Sequence, residues 1–147
     1  MPMSLTEDFL TDDEEQAVVE AIRQAEDLTS GEIRVHLEAH TDLLPLERAK
    51  EVFEQLDMHK TEARNGVLFY VGVADHSFVV LGDEGINRVV AGDFWEYTKD
   101  LVITHFKQKQ YKKGLIAGVL NAGEQLKKYF PVSKNDIDEL PNEISKS

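Results

Sequence analysis

Two adjacent carboxylates on a short turn are the residues of this sequence best suited to chemistry. Asp83 and Glu84 lie between two glycines, in the sequence Gly82-Asp83-Glu84-Gly85, called here the 82–85 turn. Glycine allows a tight turn, so both carboxylates can face one point. Hard cations such as Ca²⁺ and Mg²⁺ bind carboxylate, carbonyl and water oxygens. The turn therefore predicts a divalent-cation site, although its spacing is not that of an EF-hand loop. A solvated acidic turn or a helix cap is the alternative interpretation.

Four other polar residues are candidates for the same site. Glu32 and Asp93 are candidate metal ligands, and Arg64 and Asn65 are candidates for orienting a phosphate through charge-assisted and amide hydrogen bonds. Each residue also has a plainer interpretation. Glu32 can belong to the polar face of a strand, Asn65 to an ordinary turn, and Arg64 can pair with Glu32 or Glu84.

A second position for a metal is Asp75, in the short connection between two predicted strands. The histidines, in contrast, predict no zinc site. His36 and His40 are four residues apart, which in a strand separates them by about 13 Å at ~3.3 Å per residue. Zinc requires three or four ligands that converge on one point. Nothing in the spacing of the histidines provides that convergence.

Helices that can position these residues follow from capping signals and apolar periodicity. Thr11 and Glu14 match a capping box, and apolar residues then recur at helical spacing up to Leu28. Pro45 is typical of the first turn of a second helix. A short helical piece is predicted after the 82–85 turn, a further helix capped by Asp93, and a last helix. Three glycines interrupt the last helix, and close packing against a neighbour is the usual reason for them: Gly114, Gly118 and Gly123.

Three strands are predicted between these helices. Residues 33–39 alternate between apolar and polar side chains, which is typical of a strand with one apolar face. Residues 67–73 form a continuous apolar run, which indicates a central strand buried on both faces. Residues 78–81 form a third strand, joined to the second by a hairpin.

The order of these elements predicts an α/β fold, an open mixed sheet with helices on both faces. Strands one and two, joined through a helix, should run parallel, and strand three antiparallel to strand two. The starts of strands one and two and the end of strand three then share one edge of the sheet. We therefore expect Glu32, Arg64, Asn65 and the 82–85 turn to lie together, with Asp93 within reach. The opposite edge gathers five polar residues: His36, His40, Asp42, Asp75 and His76.

Composition excludes several classes of function. The net charge of −12 argues against nucleic acid or an anionic membrane as the main partner. The longest apolar run is far shorter than the ~20 residues of a membrane span. The sequence contains no cysteine, which excludes disulfides and thiolate metal sites and agrees with a reducing cytoplasm. We expect a cytoplasmic monomer, with an unidentified protein partner left open.

Three segments in order resemble the TPM-domain family, over roughly residues 9–119. The first begins Ser30-Gly31-Glu32, the second is Arg64-Asn65-Gly66-Val67-Leu68, and the third ends in the 82–85 turn. The resemblance implies an α/β/α sandwich, Rossmann-like in its layers, and divalent-cation binding. For plant lumenal members of the family it also implies acid phosphatase activity. Two motifs depart from the family, which often has paired aspartates where this chain has Ala74-Asp75 and a glycine-tyrosine-glycine turn at residues 82–85.

Three hypotheses for function follow. The first is a TPM domain over residues 1–130, with a polar and flexible tail over residues 131–147, that binds Ca²⁺ or Mg²⁺ at the 82–85 turn. The second is a metal-assisted phosphatase, in which the ion polarises the phosphoryl group and activates water. The third is a non-catalytic interaction module that uses the acidic N-terminal half or the lysine-rich stretch of residues 107–113.

Overall fold

A computed structural model describes residues 5–132 and 140–147 of the chain. In the described residues, two helices precede the first strand, and one helix and a 3-10 turn at Met58–Lys60 lie between the first two strands. Three helices follow the third strand along the chain. Six helices are present in the described part: α1 Leu5–Phe9, α2 Asp12–Glu26, α3 Pro45–Gln55, α4 Glu84–Asn87, α5 Glu96–Lys107 and α6 Tyr111–Lys127. The strands there are β1 Glu32–Glu38, β2 Gly66–Gly72, β3 Ser77–Gly82 and β4 Ile144–Lys146.

The four described strands form one mixed sheet in the order β3-β2-β1-β4. Strands β1 and β2 are parallel, with Glu32 opposite Gly66, and β3 is antiparallel to β2, with Gly82 opposite Val67. Both directions confirm the prediction. The register also places the starts of β1 and β2 beside the end of β3, so three distant segments meet at one edge of the sheet.

Helices cover both faces of this sheet, which confirms the predicted α/β/α sandwich. One face carries Val35 and Phe69 into a large core formed with α2, α5 and α6. The other face carries Leu68 and Tyr70 into a smaller core formed with α3 and the 3-10 turn. Strand β2 is buried along its whole length because both faces are covered.

Local signals in the sequence explain where the helices begin. The capping box predicted for α2 is present: Glu14 N donates to Thr11 Oγ1 at 3.1 Å, and Thr11 N donates to Glu14 Oε1 at 2.9 Å. Pro45 opens α3, as predicted. Helix α5 begins at Glu96 and not at Asp93, because residues 92–95 form turns first.

The glycines of α6 permit the close helix packing expected of them. A Cβ at Gly118 would lie 2.4 Å from Val102 Cγ2, and one at Gly123 would lie 2.8 Å from Ala25 Cβ. Helix α6 therefore approaches both α5 and α2 at distances that a larger residue would prevent.

The C-terminal residues differ from the flexible tail expected of them. Residues 144–146 form β4, which pairs parallel to β1, and Leu140 is buried in the smaller core. Ala39 N and Ser147 N each donate a backbone hydrogen bond across the β1–β4 pair, to Ser147 O and Leu37 O. The segment thus covers one edge and one face of β1. Residues 133–139 of the expected tail lie outside the described residues.

Strand β1 is consequently buried on both faces, although its sequence predicts one polar face. Four polar side chains of alternate positions point away from the large core, and each is at most 8% exposed. They are Glu32, Arg34, His36 and Glu38.

No helix in the described part of the chain is long and apolar enough to cross a membrane.

Candidate functional site

The edge of the sheet that holds the 82–85 turn is built by backbone hydrogen bonds between three segments. Asp83 N donates to Gly66 O at 2.9 Å, and Gly85 N donates to Arg64 O at 2.8 Å. Glu32 N donates to Asn65 O at 3.3 Å. The residues predicted to gather here are therefore held on one backbone framework.

Arg64 and Asp83 form the central ion pair of this edge. Arg64 Nε donates to Asp83 Oδ2 at 2.8 Å and Arg64 Nη2 donates to Asp83 Oδ1 at 2.9 Å, a two-point guanidinium–carboxylate contact. Asp83 Oδ1 also accepts from Glu84 N at 2.7 Å, which caps α4. Hydrogen bonding to Asp83 raises the pKa of Arg64. The Asp83 side chain is 5% exposed, whereas that of Arg64 is 37% exposed.

Glu84 faces the same guanidinium from the solvent side. Its Oε1 accepts from Arg64 Nη1 at 3.1 Å and from Arg88 Nη2 at 3.1 Å. Its side chain is half-exposed. Both carboxylates of the turn thus converge on one point, as predicted, but a guanidinium stands at that point.

The backbone around Arg64 holds this pairing in place. Arg64 has a φ of 52°, a left-handed conformation that few residues other than glycine adopt. Gly85 packs directly against this loop, since a Cβ there would lie 2.3 Å from Ala63 O. The close approach of α4 to this loop explains why glycine stands at position 85.

Glu32 lies at the same edge but does not join the two carboxylates. Between Glu32 and Asp83 lies Gly66, and the side chain and carbonyl of Met58 occupy the space over Gly66, 3.3–3.8 Å from where its Cβ would be. Glu32 Oε1 instead accepts from Leu140 N at 2.6 Å. Asn65 is buried and donates from Nδ2 to Ser30 Oγ at 3.3 Å.

Asp93 and Asp75 are both exposed and lie in separate loops. In the hairpin, His76 has a φ of 54° and its ring stacks on Tyr111 at 5.2 Å, with Nε2 3.1 Å from the Tyr111 hydroxyl. Within residues 5–132 and 140–147, no group of three or more His, Asp or Glu side chains is arranged to hold a metal ion. The donor set at the 82–85 turn is thus two carboxylates.

The opposite edge of the sheet, where the sequence placed His36, holds a buried polar network, called here the His36 network. Its other members were not predicted: Glu38, Arg48, Ser145 and Ser147. Arg48 Nε donates to Glu38 Oε1 at 2.5 Å, and His36 Nε2 lies 3.1 Å from Glu38 Oε2. His36 also contacts two residues of the C-terminal segment, Ser145 Oγ at 2.8 Å and Ser147 Oγ at 2.7 Å.

Burial and hydrogen bonding set the charges of the His36 network. Burial lowers the pKa of His36, which keeps the imidazole neutral at neutral pH. Burial acts to raise the pKa of Glu38, but hydrogen bonds from Arg48, Ser147 and His36 outweigh it and lower the pKa. Burial raises the pKa of Tyr70, which stacks on His36, to about 12. The alternation of β1 located these polar residues, but only the covering segments show that they are buried.

The layers and sheet order define an α/β/α sandwich with two charged clusters at the two ends of its parallel strands. Residues 4–125 match the sequence pattern of the TPM domain, so the chain belongs to the TPM-domain family. It is similar to the BA42 protein of the psychrophilic bacterium Bizionia argentinensis, solved by NMR, with 54% identity and a TM-score of 0.91 over 96% of this chain and 97% of that chain.

A more distant structure shares the fold. The N-terminal domain of a protein from P. gingivalis, also solved by NMR, is 20% identical with a TM-score of 0.67, over 83% of this chain and 79% of that chain. No curated protein matches the chain. The resemblance to the TPM-domain family and the fold that it implies are both confirmed.

Proposed function

We propose that this TPM domain binds a divalent cation, Ca²⁺ or Mg²⁺, through Asp83 and Glu84, at the position that the Arg64 guanidinium occupies. The observation that carries the proposal is the convergence of two adjacent carboxylates on one cationic group, at 2.8–3.1 Å. An arrangement that holds a guanidinium in this way presents carboxylate oxygens to a common point, which is the chemistry a hard cation requires.

Exposure makes the exchange of cations feasible. The Arg64 side chain is 37% exposed and Glu84 is half-exposed, so the guanidinium can move into water without crossing the core. Two carboxylates completed by water form the type of donor set that Mg²⁺ accepts, since it keeps several of its waters. Competition with Arg64 makes the expected affinity weak. Glu32 and Asp93 are not part of the proposed set.

The experiment is a titration of the protein with Mg²⁺ and with Ca²⁺, followed by backbone amide chemical shifts. We expect shifts in residues 64–66 and in the 82–85 turn. Replacing Arg64 by glutamine (R64Q) removes the competing cation and should tighten binding severalfold, and bound ion should raise the melting temperature of this variant more than that of the wild type.

The matched control is R88Q, which removes a cation that contacts Glu84 alone. R88Q should tighten binding much less than R64Q, because it leaves the two-point contact to Asp83 intact. Equal affinity of R64Q and wild type would contradict the proposed position. Shifts confined to Asp75 and His76 would move the site to the hairpin.

The same variants test the phosphatase hypothesis, to which we assign no catalytic step. A metal-assisted phosphatase requires turnover of a phosphate ester such as p-nitrophenyl phosphate, in the presence of Mg²⁺, that D83A abolishes. Turnover equal to the background rate in both wild type and D83A would leave ion binding as the whole function of the site. We also propose that the protein is cytoplasmic and monomeric. Measurement of its size in solution tests the oligomeric state, and localisation of a tagged chain tests the compartment.

A further inference from the structure

Strand β3 leaves its outer side, along the length of the strand, without a neighbouring strand among the described residues. Strand β3 is the last in the sheet order, and no described strand pairs with its far side. Its sequence, Ser77–Gly82, contains no charged residue and no proline. Edge strands of natural proteins usually carry charge, proline or a bulge that prevents pairing with another chain. This edge has neither of the first two safeguards.

The hydrogen-bond pattern shows which backbone groups face outward. Asp83 N donates to Gly66 O, so the bonds between β2 and β3 involve Asp83, Leu81, Val79 and Ser77 by the alternation of antiparallel pairs. The N–H and C=O groups of Phe78 and Val80 therefore point away from β2. Gly82 confirms this alternation, because its carbonyl faces outward and accepts from Asn87 Nδ2 at 3.2 Å.

A groove of about 290 Å³ runs along these outward groups. Leu46 of α3 forms one wall, and Trp95 and Lys99 form the other wall at the start of α5. Leu46 is 48% exposed, and the Trp95 indole Nε1 is buried without a hydrogen-bond partner among the described residues. The groove thus combines outward-facing backbone groups of β3 with an apolar side chain on each side of the strand, Leu46 on one and Trp95 on the other, and with the charged Glu96 and Lys99.

We propose that β3 binds an extended, basic segment of a partner protein as an added strand of the sheet. Only an extended backbone matches donors and acceptors that repeat every second residue, at Phe78 and Val80. Its alternate side chains would lie against Leu46 on one side and Trp95 on the other.

The negative charge of the protein favours a basic segment over a second copy of this chain as the occupant of the groove. The protein has a net charge of −12, and Glu96 lines the groove together with one cation, Lys99. Two further exposed acids flank the lining along the chain, since Asp75 is two residues before Ser77 and Asp93 follows Gly92. A second copy of this chain would bring the same negative charge to the same edge, which opposes self-association, whereas a basic segment is attracted.

The test uses a synthetic peptide of alternating pattern, acetyl-Lys-Val-Thr-Val-Lys-Val-Thr-Lys-amide, added to the wild-type protein. The amides of Phe78 and Val80 should exchange quickly with solvent in the free protein, since they point outward. Saturating peptide should shift both amides and slow their exchange. The same peptide with two adjacent central residues N-methylated cannot pair along either edge, and it should bind about tenfold more weakly.

A protein variant tests the same contact from the other side. Val80→Pro removes one outward N–H and leaves the β2 ladder intact, because the Val80 amide does not donate to β2. This variant should keep its fold and bind the peptide about tenfold more weakly. Val79→Pro removes a ladder bond and should instead lower the melting temperature.

Four outcomes would overturn the proposal. The first is equal binding of the peptide and its N-methylated form by the wild type. The second is the absence of exchange protection at Phe78 and Val80 up to millimolar peptide. The third is a dilution series in which the free protein alone protects these amides at high concentration, which would identify a second copy as the occupant. The fourth is a peptide with each lysine replaced by glutamate that binds as tightly as the basic one, because the occupant would then not be selected by its charge.

Discussion

The two ends of the parallel strands carry two charged clusters of opposite character. At one end, the 82–85 turn and Arg64 form a local cluster in which Arg64 and Glu84 remain in contact with water. At the other end, the His36 network joins β1, α3 and the C-terminal segment, and His36 and Glu38 are almost completely buried. Similar residue types thus form a cluster that reaches solvent at one end and a buried hydrogen-bond network at the other.

The difference shows that residue type alone does not identify a site for a ligand. Charged groups near water can exchange one partner for another at little cost, because water replaces the lost contact. Charged groups in the interior cannot, since removal of one partner leaves the other unpaired in a medium of low polarity. The cluster at the 82–85 turn, where Arg64 and Glu84 reach water although Asp83 is only 5% exposed, is therefore the one suited to binding. The His36 network is suited to holding the fold together.

The largest expected effect is the loss of stability from replacing Glu38 by alanine. Arg48 and His36 would lose their shared carboxylate in the interior, which typically costs about 3 kcal/mol in the free energy of unfolding. Urea unfolding monitored by circular dichroism measures this loss. The control is E20A, which breaks the exposed Glu20–Arg23 pair of α2 and should leave the midpoint unchanged. Equal midpoints for E38A and E20A would contradict the distinction between the two ends.

An intermediate effect is expected from pH, through His36. Because burial lowers its pKa in the folded protein, the unfolded chain binds the proton more tightly. Stability is therefore complete above the unfolded pKa of about 6.5 and falls as the pH is lowered toward the folded pKa, by at most about 1.4 kcal/mol per pH unit. Glu38, whose pKa is also lowered, adds a further loss at more acidic pH.

The measurement for this pH dependence is the free energy of unfolding at several pH values between neutral and mildly acidic. His36→Gln removes the titrating group and keeps polar atoms in place, so the dependence just below pH 6.5 should flatten. The control is His40→Gln, which removes an exposed histidine paired with exposed Asp42. A slope that H36Q and wild type share would show that His36 does not set the acid sensitivity.

The smallest effect is expected at the 82–85 turn. Replacing Asp83 by alanine removes the cap of α4 and the ion pair with the solvent-accessible Arg64, and it should cost about 1 kcal/mol in the free energy of unfolding. Glu84→Gln keeps that cap and changes only the half-exposed contacts to Arg64 and Arg88, so it should have no measurable effect on stability. An E84Q variant as unstable as D83A would contradict this order, since it would show that the half-exposed contacts of Glu84 stabilise the fold as much as the contacts of Asp83 do.

Much of the architecture was predictable from local patterns. The capping box at Thr11, the proline that opens α3 and the apolar run of β2 each act over a few residues, so they are readable in one segment. Strand directions followed from the lengths of the connections, and they placed Arg64, Asp83 and Glu84 together correctly. The sequence left open a pairing of Arg64 with Glu32 or Glu84, and the structure shows the pairing with Glu84. The two-point contact of Arg64 with Asp83 was not predicted.

Other features could not be predicted, because they depend on contacts between distant residues. Strand β4 has three residues, too few to show an alternating pattern, and it pairs with β1 more than a hundred residues away. The alternating polar side chains of β1 are typical of a face in contact with solvent, but α3 and residues 140–147 cover that face. Glu32 and Asp83 lie at the same end of neighbouring strands, yet Met58 separates them by filling the space above Gly66.

The sequence by itself determined the fold class, the family, the direction of the first three strands and the gathering of Arg64, Asn65 and the 82–85 turn at one edge. Periodicity, capping and connection length encode these properties, and each is a short-range effect of backbone geometry. Only the tertiary structure decided which charges are buried, which carboxylates share a partner and which strand edge is left open. Those properties depend on what covers each residue, and the covering groups come from parts of the chain that no local pattern connects.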